Sequence, residues 1–215
     1  MTVLRIDASI QGDRSASSAL ADVVLDRVVA AHPHTTVVRR HLGADPLPAD
    51  AWATAISGSF TPEADRTDAQ RAAVALAQEV AAELQDATSA VLAVPLYNFG
   101  VSQHAKTWID LAIAGAPQGT RLLDGTPTVL VTTRGGAYGA GTPREGWDHN
   151  TDYLRRILAD VWGADLTVVE REFTLVGVNP ALDDFAEIAA DMHTTAREAA
   201  AQAGTALASR RAAAA

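Results

Sequence analysis

The chain of 215 residues contains no cysteine. Disulfides, thiolate zinc sites, iron–sulfur ligation and a cysteine nucleophile are thereby excluded. This composition is compatible with a cytoplasmic protein. No apolar run approaches the roughly 20 residues that span a bilayer, and Met1 to Arg5 lead straight into a strand pattern instead of an export signal. Neither membrane insertion nor export is expected. Basic charge is also scarce: 17 basic residues, of which Lys106 is the one lysine, face 26 acidic ones, for a formal net charge of −9. Nucleic-acid binding rests on a basic face, and the pairs Arg39-Arg40, Arg155-Arg156 and Arg210-Arg211 are isolated, as on a solvated surface. Three nucleotide and hydrolase signatures are missing: G-x-G-x-x-G, G-x-x-x-x-G-K-[ST] and G-x-S-x-G. The six histidines show no metal-ligand spacing beyond His32 and His34, which flank Pro33 in a turn, so no metal is expected.

What is present is an alternation of strand and helix patterns along the whole chain. Strands are predicted at Val3–Asp7, Thr35–Leu42, Ala90–Val94, Thr128–Thr132 and Leu166–Glu170. Helices are predicted at Ser17–Ala31, Asp65–Asp86, Gln103–Ala114, Asp152–Trp162 and from Asp183 to about Ser209. The last carries a stripe of Phe185, Ile188, Met192, Ala196, Ala199 and Ala203. Gly43 to Pro62 reads as a long irregular stretch with three prolines, and Arg134–Asn150 as a second long loop rich in glycine. The alanine tail after Arg211 has nothing to pack against and is expected to fray. With no repeat and no linker, residues 1–215 read as a single α/β domain: a five-stranded parallel sheet, order 2-1-3-4-5, sandwiched between two helical layers. In that order the loops after strands one, three and four converge at the switch point where such sheets bind ligands.

Those three loops carry the chemistry. Ala90 to Val94 is apolar throughout, as in a strand buried on both faces. At its carboxyl end stands Pro95-Leu96-Tyr97-Asn98-Phe99. A tyrosine, an amide and a phenylalanine suit a flat, polar-edged aromatic ligand such as a flavin ring. An ordinary strand-to-helix turn with two core aromatics is the competing reading of that loop alone. After strand one comes Ser9-Ile10-Gln11-Gly12-Asp13-Arg14-Ser15-Ala16-Ser17-Ser18. Its hydroxyls precede a helix N-terminus, where unpaired amides and the helix dipole favour a phosphate. Ser15 or Ser17 acting only as a helix cap is the alternative. After strand four comes Thr133-Arg134-Gly135-Gly136-Ala137-Tyr138-Gly139-Ala140-Gly141, whose adjacent glycines allow main-chain amides to approach a ligand closely.

On these residues the chain resembles the FMN-dependent NADH azoreductases and their NAD(P)H quinone-reductase relatives, of flavodoxin-like fold. The likeness runs from Val3 to about Leu182 and rests on an early serine followed by Ser-x-Ser, on Pro-x-Tyr-Asn-Phe and on Arg-Gly-Gly, in that order. It implies that Ser9, Ser15, Ala16 and Ser17 hold the FMN phosphate. By the same carry-over, Leu96, Tyr97, Asn98 and Phe99 flank the isoalloxazine and ribityl chain. Thr133, Arg134, Gly135 and Gly136 contact the other ring edge, with Thr133 where many relatives have serine. It further implies NADH or NADPH as reductant, a quinone, azo or related acceptor, ping-pong turnover, and a homodimer with flavin sites at its interface. Catalysis then belongs to the flavin, with no side chain acting as acid, base or nucleophile.

The chain departs from this family in one segment. Relatives commonly carry a longer, aromatic-bearing hairpin between the helix after strand three and strand four. Here Gly115 to Gly125 contains no aromatic residue. Trp52 and Phe60 from the first long loop, or Tyr138 and Trp147 from the second, are the candidates to wall the substrate pocket instead. Other classes fit less well. A phosphoryl-transfer receiver domain would need paired acids after strand one and an aspartate ending strand three, where only Asp7 and Pro95 stand. A flavin-binding electron-transfer or sensor module without turnover, and a biosynthetic reductase with a specialised substrate, remain open to the same residues.

Overall fold

The computed structural model describes residues 1–212. Five strands, β1 (Thr2–Asp7), β2 (Thr36–His41), β3 (Ser89–Ala93), β4 (Pro127–Thr133) and β5 (Asp165–Arg171), form one parallel sheet in the order β2-β1-β3-β4-β5. The order expected from the sequence is the one observed. β3 is buried at every position, whereas the edge strands β2 and β5 are largely half-exposed, the pattern a sheet covered on both faces imposes.

Alternation along β1 divides the core in two. Leu4 and Ile6 join a cluster built from α3 (Asp68–Asp86), α4 (Gln103–Ala114) and α5 (Thr151–Arg155). Val3 joins the opposite cluster, built from α1 (Ala16–Ala31) and α6 (Ala186–Ala212). Arg5 and Asp7 share that second side with Val3, since strand side chains alternate. Arg5 Nε and Nη2 donate to Asp7 at 2.9 and 2.6 Å, and Nη2 also donates to the Ser18 carbonyl in the first turn of α1. Asp7 is thus a buried structural anion. Burial raises its pKa, but the Arg5 hydrogen bond and charge outweigh that and hold it below the usual carboxylate value. On the other face, Trp108 and Trp162 meet edge-to-face at 5.5 Å, a favoured aromatic geometry.

Three expectations about helices need correction. Gly43 to Pro62 is not irregular throughout, because α2 (Ala51–Ser59) lies inside it. Pro48 precedes the helix and Pro62 follows it, so the prolines punctuate without interrupting. Its small residues Ala51 and Ala55 pack on Ala73 and Ala77 of α3. The helix predicted from Asp152 to Trp162 is α-helical only in its first turn, then continues as a π-helix over Arg156–Val161, with Trp162 N bonded to the Ile157 carbonyl. Leu154, Leu158 and Trp162 are all buried at a spacing of four. In an α-helix that row drifts by about 40° per turn, and the wider π turn keeps it facing the sheet. In α6, Phe185 and Ile188 are exposed, and the buried row is Ala189, Ala196, Ala200, Ala203 and Leu207. Phe185, which precedes α6, stacks on Phe173 at 5.2 Å instead of joining the main core.

No helix among the described residues is long and apolar enough to cross a membrane. The expected fraying of the tail after Arg211 falls, beyond residue 212, outside the described residues.

Candidate active site

At the carboxyl ends of β1, β3 and β4 a cleft of about 390 Å³ opens. The three loops singled out in the sequence all line it, together with Thr174, Leu175 and Val178 from the segment after β5.

Ser9 is buried, and its Oγ lies 3.1 Å from the Tyr97 hydroxyl, which also accepts from Ile10 N at 3.1 Å. Gln11 N donates to Ser9 Oγ. Tyr97 therefore ties the loop after β3 to the loop after β1. Ser15 is indeed the N-cap of α1, accepting from Ser18 N at 3.1 Å, and its Oγ is 3.2 Å from Ser17 Oγ. Capping and ligand binding are not exclusive here. The cap uses the Ser18 amide, while Ala16 and Ser17 still line the cleft at the positive end of the helix dipole.

The loop after β3 is a tight turn. Tyr97 N and Gly100 O are 3.2 Å apart and Gly100 N and Tyr97 O 2.9 Å. Its central residues Asn98 and Phe99 have φ of 48° and 68°, the left-handed pair of a type I′ turn. Asparagine tolerates that region, but phenylalanine does so at a cost of roughly 1–2 kcal/mol. Backbone strain of this kind concentrates at ligand-binding positions. Leu96 N bonds Thr133 O at 2.9 Å and His149 N bonds Phe99 O at 3.0 Å, so the turn is held between the β4 loop and the chain leading into α5.

Thr133, Gly135 and Gly136 line the cleft, but the Arg134 side chain does not. Any part Arg134 takes at the expected ring edge therefore falls to its main chain. Alternation sends its guanidinium to the other side, where Nε donates to Asp148 at 2.5 Å and Nη2 to Glu170 at 2.8 Å and Thr151 at 3.1 Å. Glu172 lies 3.6 Å from Nη1. Asp148 also accepts from Asn150 N, Thr151 N and Thr151 Oγ1. Burial raises the pKa of Asp148, yet the Thr151 bonds and Arg134 hold it below the ordinary value. Arg134 is correspondingly raised, burial being outweighed by Asp148 and Glu170. The main chain at 134–136 is clamped in turn, with Thr174 N, Leu175 N and Phe173 N donating to the carbonyls of Arg134, Gly135 and Gly136.

The proposed pocket aromatics separate into two pairs. Tyr138 lines the cleft, and Trp147 stands edge-on to Phe99 at 5.6 Å, with Tyr138 6.4 Å from the same ring. Trp52 and Phe60 do not line it. They sit on and just after α2, and are exposed because Ala51 and Ala55 take the inward positions.

Sequence reasoning missed several residues. Gly43 is one: a Cβ there would stand 2.1 Å from the Ser9 carbonyl oxygen, so only glycine lets the end of β2 pass under the serine loop. Arg14 lines the serine end of the cleft, and Arg144 its aromatic end. Thr174, Leu175 and Val178 follow β5 and carried no motif; an apolar run beyond a strand's carboxyl end was their only signal.

The donor set fits a flavin mononucleotide. Three serine hydroxyls, a helix N-terminus and Arg14 would suit one phosphate, the turn at 97–100 offers an aromatic wall and an amide, and among the described residues no aspartate or glutamate lines the cleft.

Sheet order and cleft together define a flavodoxin-like, mononucleotide-binding α/β domain. In agreement, a family described as flavodoxin-like fold matches residues 1–200. An FMN-dependent NADH:quinone oxidoreductase of Frankia alni is 38% identical over 191 residues, covering 86% of this chain and 90% of that one. The crystal structure of azoreductase AzrA superposes with a TM-score of 0.76 at 24% identity, covering 95% of this chain and 99% of that one. An FMN-dependent NADH-azoreductase from Bacillus anthracis, solved in complex with FMN, gives 0.72 at 19% identity, with 95% and 100% covered. The chain belongs to the FMN-dependent NADH:quinone oxidoreductase family.

Proposed function

We propose that the chain is an FMN-dependent oxidoreductase that passes hydride from NADH or NADPH to an electrophilic acceptor, a quinone, azo or related compound. The observation that carries this is the convergence of the three loops on one cleft, polar and cationic at the serine end, aromatic at the other, without a carboxylate. Ser9, Ser15, Ala16 and Ser17, with Arg14, hold the phosphate. Leu96, Tyr97, Asn98 and Phe99 flank the ribityl chain and ring, and Thr133, Gly135 and Gly136 meet the opposite edge, Arg134 contributing main chain alone. Bound there, FMN supplies a two-electron relay that takes hydride from the nicotinamide and returns it to the acceptor. The net reaction balances as NADH, a solvent proton and quinone giving NAD⁺ and hydroquinone.

One cleft mouth serves both substrates, so they use it in turn and turnover is ping-pong. Phe99, Tyr138 and Trp147 exclude water and stack a planar acceptor. Ile10, Trp147, Leu175 and Val178 are exposed around that mouth, an apolar rim suited to a second copy of the chain. The working form is therefore a homodimer with the two sites at its interface. In that dimer Trp52 and Phe60 reach a pocket only if it is the partner's. The protein works in the cytoplasm, where nicotinamide reductant is supplied, and uses neither metal nor nucleic acid.

The test is purification or reconstitution with flavin, chromatography of the heat-released flavin, and anaerobic titration with NADH. One FMN per chain, bleached by NADH and reoxidised by a quinone, is expected. Stoichiometric FAD would refute the single phosphate site, and FMN that NADH fails to bleach would reduce the protein to a binding module.

A further inference from the structure

The cleft's charge does not match that of the chain. In a protein of formal net charge −9, the charged side chains lining the cleft are two arginines, one at each end. Arg14 stands with the serines. Arg144 stands at the aromatic end, its guanidinium carbon 5.6 Å from the centroid of the Tyr138 ring and its Nη1 against Gly136, 3.1 Å from where a Cβ would sit. Among the described residues Arg144 makes no ion pair. The neighbouring acids are engaged elsewhere. Glu145 accepts from Gly141 N, Glu172 from Tyr138 N, and Asp148 holds Arg134. Arg144 is thus an uncompensated cation resting on an aromatic face at the entrance to the proposed acceptor pocket.

We propose that Arg144 selects acceptors that carry an anion: planar aromatic quinones or azo compounds bearing a carboxylate or sulfonate. The proposal rests on the oxidoreductase reading of the same cleft. The ring of such an acceptor packs against Tyr138 and Phe99, and its anionic substituent reaches the guanidinium, which presents a planar fork of donors to carboxylate or sulfonate oxygens. Cation–π contact with Tyr138 keeps the guanidinium in place over the ring. Arg14 at the far end answers the other anion in the cleft, the cofactor phosphate, so each cation has its own task. The hydride transfer itself is unchanged, since Arg144 acts on binding.

The experiment compares 1,4-naphthoquinone with 1,4-naphthoquinone-2-sulfonate as acceptors for the FMN-loaded protein and its Arg144→Ala and Arg144→Lys variants. Intrinsic differences in reactivity between the two quinones cancel when each variant is compared with wild type. Losing a charge-assisted bond at a partly exposed site corresponds to about a tenfold loss. Arg144→Ala is therefore expected to lower kcat/KM for the sulfonate about tenfold, through KM, and to change the neutral quinone and the rate of bleaching by NADH less than twofold. Arg144→Lys is expected to recover part of the loss. Added salt is expected to erode the sulfonate preference of the wild type and not that of Arg144→Ala.

An equal loss for both quinones would overturn the proposal, as would slowed bleaching with the acceptor ratio intact, which would give the cation to the nicotinamide phosphates instead. Calorimetric binding of redox-inert naphthalene-2-sulfonate separates this proposal from the one beneath it. An Arg144-dependent tenfold affinity there upholds the anion site even if NADH fails to bleach the flavin, whereas equal affinity for wild type and Arg144→Ala overturns it whatever the turnover.

Discussion

Arg134→Ala removes the centre of a buried ion-pair cluster without touching the cleft lining. The Arg134 side chain is 10% exposed, as are, nearly, its partners Asp148 and Glu172 at 13% and 12%. Glu170 is 37% exposed, and its pair contributes only a few tenths of a kcal/mol after solvent screening. Breaking a buried pair by deleting one partner costs about 3–5 kcal/mol. Asp148 keeps its bonds from Asn150 and Thr151, so the lower end applies, about 3 kcal/mol or roughly a hundredfold in the unfolding equilibrium. For a chain of this size that corresponds to about 6–12 °C in Tm. Folding lowers the pKa of Asp148. Its contribution is therefore complete above the unfolded value of about 3.9 and is lost as pH falls through the folded pKa. Urea unfolding of apo wild type and variant at pH 7 and again near pH 3.5 is expected to show the gap narrowing in acid. A gap below about 1 kcal/mol at pH 7, or one independent of pH, would refute the assignment of Arg134 as a structural hub and return it to the list of cleft ligands.

Three further outcomes follow from the geometry. Gly43→Ala places a methyl group against the Ser9 carbonyl; a cost of about 1–3 kcal/mol and a fall in FMN affinity are expected by denaturation and fluorescence titration, and unchanged affinity would show that the serine loop moves freely. Asn98→Ala puts an ordinary residue at φ 48° and removes the amide, so flavin affinity falls about tenfold or more, while Asn98→Gly restores the turn and part of the affinity; equal behaviour of the two variants would leave the amide, and not the turn, responsible. Ser17→Asp sets an anion against the phosphate at a helix N-terminus that favours a carboxylate, so FMN titration is expected to show strongly weakened binding with circular dichroism unchanged, and wild-type affinity would move the phosphate elsewhere.

Much of this molecule is legible in one dimension because its central strands are buried on both faces. Ala90 to Val94 announces itself by unbroken apolarity, and the turns that follow such strands carry the cleft-lining residues locally, in sequence order. The convergence of Ser9, Tyr97 and Gly135 on one cleft follows from strand order, which alternation of strand and helix with right-handed crossovers already restricts.

What failed to show in the sequence depends on side-chain direction or on contacts between distant segments. Arg134 stands between cleft-lining residues, yet the pleat turns its guanidinium toward Asp148 and Glu170. Trp52 and Phe60 looked equivalent to Tyr138 and Trp147 until Ala51 and Ala55 took the inward face of α2. Gly43 reads as the start of a loop, and only the neighbouring strand reveals that its missing side chain makes room for Ser9. Arg144 is one arginine among many, and its lack of a carboxylate partner among the described residues is a fact about space. The sequence by itself determined the five strands, their order and the three loops that line the cleft, because burial periodicity and turn chemistry are local. The tertiary structure alone decided which charges are spent on each other and which are left facing the cleft, because pairing joins residues far apart along the chain.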